Sequence, residues 1–302
     1  MVIAIAAPFL TCIYNSFPDM SNILTAIKAI IKNSHNNQIK DSDINSGNRV
    51  TKVGEPLETF IKNAFADCIG QKDNRKIEKA RNKVFSYIGN NYSPPDAMLK
   101  GGDAIEIKKI KTVSTQQLQL NSSYPKNKLY AENPKLCKEC ITCEDWYEKD
   151  MLYVVGQVNN SELHNLLFIY GDLYCDRPEV YKNIENVLKT SLEDCKDVEF
   201  TPTNELGRVN KVDHLEISDL RIRGMWLIIN PFKHFDYLIN HITNTKFKLV
   251  ALIPTEKYNS FYNVSDFENF CKEYNVYISD TEVANPTNPA KLIKSKLIIF
   301  YY

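Results

Sequence analysis

The chain has 302 residues, 43% hydrophobic and 25% charged, with 17 Tyr, 14 Phe and 2 Trp. That is the composition of a folded protein with a sizeable core, and it excludes intrinsic disorder. Lys plus Arg equals Asp plus Glu at 37 each, so no global charge draws the chain to nucleic acid or membrane, and any polyanion site must be built from locally concentrated basic groups.

The longest apolar run, residues 2–10, is too short to cross a bilayer and has no basic residue before it. Neither a transmembrane helix nor a secretory signal is expected, and the expected location is the cytoplasm. Residues 20–33 read as an amphipathic helix and 33–52 as a polar linker, setting residues 1–46 apart as an N-terminal helical extension ahead of a core over 47–302. Helical periodicity returns at Leu57, Phe60, Ile61, Ala64, Phe65 and Cys68, with Pro56 suited to the first turn. A helix over 73–88 places Ile77, Ala80, Val84 and Ile88 on one side and is closed by Gly89. Between Lys72 and Lys83 six basic residues stand against two acidic ones, a pattern suited to phosphate contact or to a solvated face.

A hairpin signal follows: 96–99, then Lys100-Gly101-Gly102, then the alternating strand 103–110. Further strands are expected at 151–158, 163–170, 247–253, 276–279 and 297–301, and helices near 138–149, 178–192, 232–243 and 264–274. Strands alternating with helices, without internal repeats, indicate an α/β or α+β domain with a mixed sheet.

Chemistry concentrates in this hairpin. Hydrolysing a phosphodiester needs hard oxygen ligands for a divalent metal and a cation or base beside the attacking water; Pro95-Asp96 followed by Glu106-Ile107-Lys108 supplies these parts if they converge. Glu106 and Lys108 share a strand face. A three-residue loop, with Gly102 in the left-handed position of a bulged turn, sets Leu99 opposite Asp103 and Asp96 opposite Glu106, so that all three polar groups face one side. A two-residue Gly-Gly loop would instead set Asp96 opposite Ile107 and break the site. The other Pro-Asp pair, Pro18-Asp19, has no acidic-x-Lys triplet in the thirty residues after it, and the triplet Asp194-Cys195-Lys196 lies in a polar segment without strand alternation. Glu58, at the edge of the apolar arc of its helix, is a candidate fourth member; its alternative reading is a helix-start charge favoured by the dipole.

Several ordered segments resemble the NgoPII-type type II restriction endonucleases of the PD-(D/E)xK superfamily: Tyr87-Ile88-Gly89-Asn90-Asn91, Ser93-Pro94-Pro95-Asp96-Ala97-Met98-Leu99, Gly102-Asp103-Ala104-Ile105-Glu106-Ile107-Lys108, Leu120-Asn121-Ser122-Ser123, Glu205-Leu206-Gly207-Arg208-Val209-Asn210 and Leu220-Arg221-Ile222-Arg223-Gly224-Met225-Trp226. The resemblance covers about 47–234. It implies a restriction-endonuclease-like α/β core, a mixed central sheet flanked by helices, and a Mg²⁺-dependent homodimer that cleaves both strands of a short palindrome in double-stranded DNA, with GGCC the sequence read by the name-giving enzyme. Asp96, Glu106 and Lys108 match the family's catalytic positions, with Asp96 and Glu106 as metal ligands. The resemblance also implies a DNA methyltransferase that protects the same site without needing to touch this chain.

Three of the seven arginines, Arg208, Arg221 and Arg223, fall within sixteen residues. The guanidinium fork matches guanine O6 and N7 in the major groove, which makes them candidates for DNA readout, with Arg221 and Arg223 on one strand face; phosphate contact or a salt bridge to Glu216 or Asp219 is the alternative. Asn121, Ser122, Ser123 and Lys126 form a polar segment after the catalytic strand, suited to DNA contact or to plain solvation. Cys137, Cys140 and Cys143 have a spacing that could begin a zinc site with Cys175 or His164, or place core thiols on one helix. Two other functions stay open at this level: a PD-(D/E)xK nuclease of repair or recombination that recognises DNA structure, and a noncatalytic DNA-binding protein.

Overall fold

The computed structural model describes residues 20–34, 55–90, 93–121, 124–194, 199–201, 206–240 and 242–302. The apolar run 2–10, most of the 33–52 linker, Ser122 and Ser123 lie outside these residues.

Three helices come first, α1 (Ile23–Ser34), α2 (Glu55–Phe65) and α3 (Asn74–Val84), then β1 (Phe85–Asn90), β2 (Ser93–Leu99), β3 (Ala104–Ile110), β4 (Gln117–Asn121) and β5 (Lys128–Tyr130). A short α4 (Lys138–Ile141) leads to β6 (Glu148–Asn159) and β7 (Glu162–Tyr170), followed by α5 (Pro178–Glu193), β8 (Glu199–Thr201), β9 (Gly207–Asn210), β10 (Leu220–Ile222) and β11 (Met225–Ile229). The remaining elements are α6 (Pro231–His234), α7 (Asp236–Ile239), β12 (Lys248–Pro254), α8 (Thr255–Ser260), α9 (Val264–Glu273), β13 (Tyr277–Asn285) and β14 (Asn288–Tyr301).

The main sheet has the order β1-β2-β3-β6-β7-β12-β14-β13, with β5 beside β6. Its β3–β6 and β7–β12 pairs are parallel and the rest antiparallel, giving the mixed sheet expected from the sequence. Central strands are covered on both faces, which is why β6 reads as the unbroken apolar run Met151 to Val155, every residue buried. One face carries α1, α2 and α9 over Ala97, Leu99, Ile105, Ile107, Leu152 and Val154. The other carries Leu118 and Leu120 of β4, with Trp226 and Ile228 of β11, over Met98, Tyr153 and Val155. β4 and β11 form a separate two-stranded ribbon, and β8, β9 and β10 a small sheet of their own.

Several expectations are corrected. The helix expected as part of an N-terminal extension is built into the core: Ile23, Leu24, Ala26, Ile27, Ile30 and Ile31 of α1 are all fully buried. Asn22 ties it down, accepting the Leu24 N–H at 2.9 Å and donating to Asn263 at 2.8 Å just before α9. The helix expected over 73–88 stops at Val84, and Gly89 lies within β1. The Val-Phe-Ser-Tyr-Ile run is β-favouring, and a bulge between Phe85 and Tyr87 lets these two rings face opposite layers. The helix expected over 138–149 is one turn long, because Glu148 and Lys149 already belong to β6. The helix near 232–243 is two short pieces, and the strands at 276–279 and 297–301 are the ends of a long β13–β14 hairpin.

Candidate active site

The β2–β3 hairpin has the register of a three-residue loop. Ala97 pairs with Ile105 and Met98 with Ala104, and the Leu99 N–H donates to Asp103 O at 2.9 Å. The left-handed residue is Gly101 (φ +59°) and not Gly102. It holds the third place of a turn closed by Gly102 N–H to Leu99 O at 3.1 Å, where positive φ is the requirement of a type II turn.

Continuing the register sets Asp96 across from Glu106. By strand alternation Asp96, Glu106 and Lys108 share the face of Met98 and Ala104. The backbone ladder stops at Ala97 and Ile105, and past it the Asp96 carboxylate takes the place of a main-chain partner, accepting the Ile107 N–H at 2.6 Å. Lys108 Nζ lies 2.6 Å from Glu106 Oε1. Glu58, in the first turn of α2, pairs with Lys62 at 3.1 Å. Its negative charge is felt at both Asp96 and Lys108, although α2 packs on the opposite face of the sheet.

Burial, then the charge of Glu106, pushes the Asp96 carboxyl up to about 7, against the opposing pull of Lys108 and the Ile107 N–H. Burial pulls Lys108 down, but Glu106 and Asp96 outweigh it and hold the ammonium above its usual value. Among the described residues no group of three or more His, Cys, Asp or Glu is gathered as a metal cage. The donor set nonetheless fits a hard divalent cation of the Mg²⁺ type, which binds through one or two carboxylates and fills its other positions with water and substrate phosphate. An Asp96 carboxyl whose proton affinity is raised by the neighbouring Glu106 charge is relieved by such an ion.

The family model described as NgoPII restriction endonuclease matches residues 21–284. The type II restriction enzyme NgoPII of Neisseria gonorrhoeae is 40% identical over 280 residues, 92% of this chain and 100% of that protein. The chain belongs to the NgoPII restriction endonuclease family. As a member it is a type II restriction enzyme, a site-specific deoxyribonuclease of the class that generally uses a divalent metal. No solved structure matches. The family match runs well past 47–234, taking in α1 and most of the C-terminal α/β segment.

The NgoPII-family chain distributes its other candidate residues unevenly. Arg208 of β9 is ion-paired with Asp219, the salt bridge foreseen as the alternative reading, while Glu216 pairs instead with Lys211 at 3.4 Å. Arg208 and Arg221 sit directly opposite each other. β10 ends at Ile222, so Arg223 lies beyond the strand and does not share a strand face with Arg221. Asn121 is the last residue of β4, paired with Met225.

Lys126 is not in a solvated loop. It is 8% exposed, its N–H and C=O are both held by the Tyr153 hydroxyl (2.8 and 3.1 Å), and its Nζ lies 4.9 Å from the centre of the Tyr124 ring. Burial lowers its pKa to about 8, with Glu106 pulling the other way. Tyr153, which no sequence pattern singled out, is the β6 residue in register with Glu106. The three spaced cysteines have separate partners: Cys137 meets the Tyr87 hydroxyl at 3.3 Å, Cys140 the Met98 sulfur at 3.8 Å, and Cys143 the Cys140 carbonyl at 3.1 Å.

Proposed function

We propose that this enzyme cleaves both strands of a short DNA palindrome, GGCC, as a Mg²⁺-dependent homodimer whose active site is Asp96, Glu106 and Lys108. The observation that carries the reading is the hairpin register, which sets Asp96 across from Glu106 with Lys108 on the same face. Asp96 and Glu106 would hold the ion. When bound, Mg²⁺ supplies Lewis-acid activation of water and neutralises charge on the scissile phosphate. Lys108 positions or deprotonates the attacking water and stabilises charge on the phosphate. With Glu106 and Asp96 neutralised, burial works to lower the proton affinity of Lys108 toward that of a base, opposed by the charge of Glu58.

Asp96 is oriented by the Ile107 N–H, and Glu58 adds negative charge from the opposite layer. Arg221, Arg223, Arg208 and the end of β4 at Asn121 are assigned to the DNA-reading side. A palindrome is two-fold symmetric and each chain carries one such hairpin, so a symmetric pair of chains matches both strands. The enzyme acts in the cytoplasm, where a methyltransferase modifying the same sequence protects the host DNA.

Incubation with unmethylated plasmid and Mg²⁺ tests the reading. Discrete fragments ending at GGCC support it; structure-dependent nicking, or no cleavage, contradicts it. Sedimentation of the active form at the mass of one chain would remove the dimer.

A further inference from the structure

The turn that sets the hairpin register is held from outside the hairpin. Lys149, at the start of β6, is 5% exposed, and its Nζ donates to Leu99 O at 2.9 Å and to Gly102 O at 2.8 Å. The β3–β6 register, carried back two residues from Ala104 and Met151, puts Gly102 beside Lys149. Glu144 forms an ion pair with Lys149, and its other oxygen accepts the Gly101 N–H at 2.9 Å. Ser86 of β1 donates to the same carboxylate at 3.1 Å. One buried ammonium and one carboxylate thus satisfy the polar groups of a turn that lies more than forty residues away in sequence.

We propose that Lys149 and Glu144 are positioning residues for DNA cleavage: by clamping the Leu99–Gly102 turn as a three-residue loop they fix the register that sets Asp96 across from Glu106. The alternative two-residue loop would bring Ile107 opposite Asp96 and turn the pair apart. Lys149 binds the carbonyl that precedes the loop, Leu99 O, and that of the last loop residue, Gly102 O, and so favours the one register in which both converge on a single ammonium. Two glycines in a turn leave the backbone free to choose; the clamp removes that choice. This inference rests on the assignment of Asp96 and Glu106 as the metal-holding pair.

The test uses full-length Lys149→Met, Lys149→Arg and Glu144→Gln. Lys128→Met is the control, removing an ion pair to Asp150 and Glu148 at the same end of β6 without touching the turn. Cleavage is followed against Mg²⁺ and DNA concentration, with the folded fraction measured by circular dichroism. Lys149→Met is expected to lower kcat about 10- to 100-fold, the scale of an ångström-sized misplacement of catalytic groups. It should raise the Mg²⁺ concentration for half-maximal cleavage several-fold and change KM for DNA by less than about two-fold. Lys149→Arg should recover part of kcat, and Lys128→Met should leave the Mg²⁺ midpoint in place. If Lys149→Met does not fold, Glu144→Gln carries the test with a smaller shift in the same direction.

A wild-type Mg²⁺ midpoint and kcat per folded molecule in Lys149→Met, or in Glu144→Gln where that variant carries the test, would overturn the proposal. So would equal shifts in Lys128→Met. Asp96→Asn run in parallel separates the two failures. If Asp96→Asn still cleaves, the assignment of the metal-holding pair is wrong; if it does not and Lys149→Met behaves as wild type, only the clamp is wrong.

Discussion

The Asp96 carboxylate accepts the backbone N–H of Ile107 at 2.6 Å, so the acid on β2 is held by the residue that separates Glu106 from Lys108 on β3. The hydrogen bond aims Asp96 at the carboxylate across the hairpin. It also makes the position of Asp96 depend on the backbone that carries Glu106 and Lys108.

This arrangement predicts a pH signature in the metal-free enzyme. The Asp96 carboxyl is raised to about 7 from its ordinary value of 3.8. Between those values the folded chain keeps a proton that the unfolded chain has released. Stability from this group is therefore complete below about pH 4 and is lost as pH rises through about 7. Asp96→Asn should remove this loss and make the metal-free protein more stable than wild type at pH 8, by roughly 1–3 kcal/mol. Urea unfolding at pH 5 and pH 8 in EDTA checks the sign. Added Mg²⁺ should stabilise the wild type at pH 8 and not the variant.

Lys108→Met should reduce the cleavage rate about 10²- to 10⁴-fold, the range for a lost acid–base or charge-stabilising group. Affinity for the target measured with Ca²⁺ in place of Mg²⁺ should change little. Single-turnover cleavage beside a filter-binding titration separates the two quantities, and parallel losses in both would place Lys108 in DNA binding.

Arg221→Ala should reduce the preference for the target over a site with one altered base pair by about 1–3 kcal/mol. If Arg221 only met phosphate, its loss would instead weaken binding to all DNA alike and flatten the salt dependence. Competition binding on matched duplexes at two salt concentrations distinguishes these, and full discrimination in Arg221→Ala would remove that residue from the readout.

On the strand face opposite Glu106, Lys257 Nζ lies 2.6 Å from both Asp103 and Asp150, and Asp103, 2% exposed, also accepts the Tyr170 hydroxyl at 2.6 Å. Lys257→Met leaves a buried carboxylate uncompensated and should cost about 3 kcal/mol in thermal or urea unfolding. The double variant with Asp103→Asn should recover part of that loss.

The sequence disclosed the parts of the site governed by local rules. Alternation along 103–110 was enough to put Glu106 and Lys108 on one face, but the sequence left the three-residue loop that adds Asp96 and the two-residue loop that removes it both open, and the register decides between them. What stayed hidden was tertiary. Nothing local shows that Lys126 and Lys149 are buried, since their long side chains read as solvated until the carbonyls and rings around them are known. The helical spacing of Val84 and Ile88 was real, but pairing with β2 overrode it. α1 read as a detached amphipathic helix because its polar residues are visible in sequence and its partners, α2 and α9, are distant along the chain. Arg221 and Arg223 have strand spacing, yet β10 ends between them.

The most direct measurement is digestion of unmethylated plasmid of known sequence by wild type and Asp96→Asn, with Mg²⁺ and with EDTA. The account predicts discrete fragments ending at GGCC for wild type with Mg²⁺, and intact plasmid in the other three reactions. Fragments that persist with Asp96→Asn, or that ignore GGCC, would contradict it.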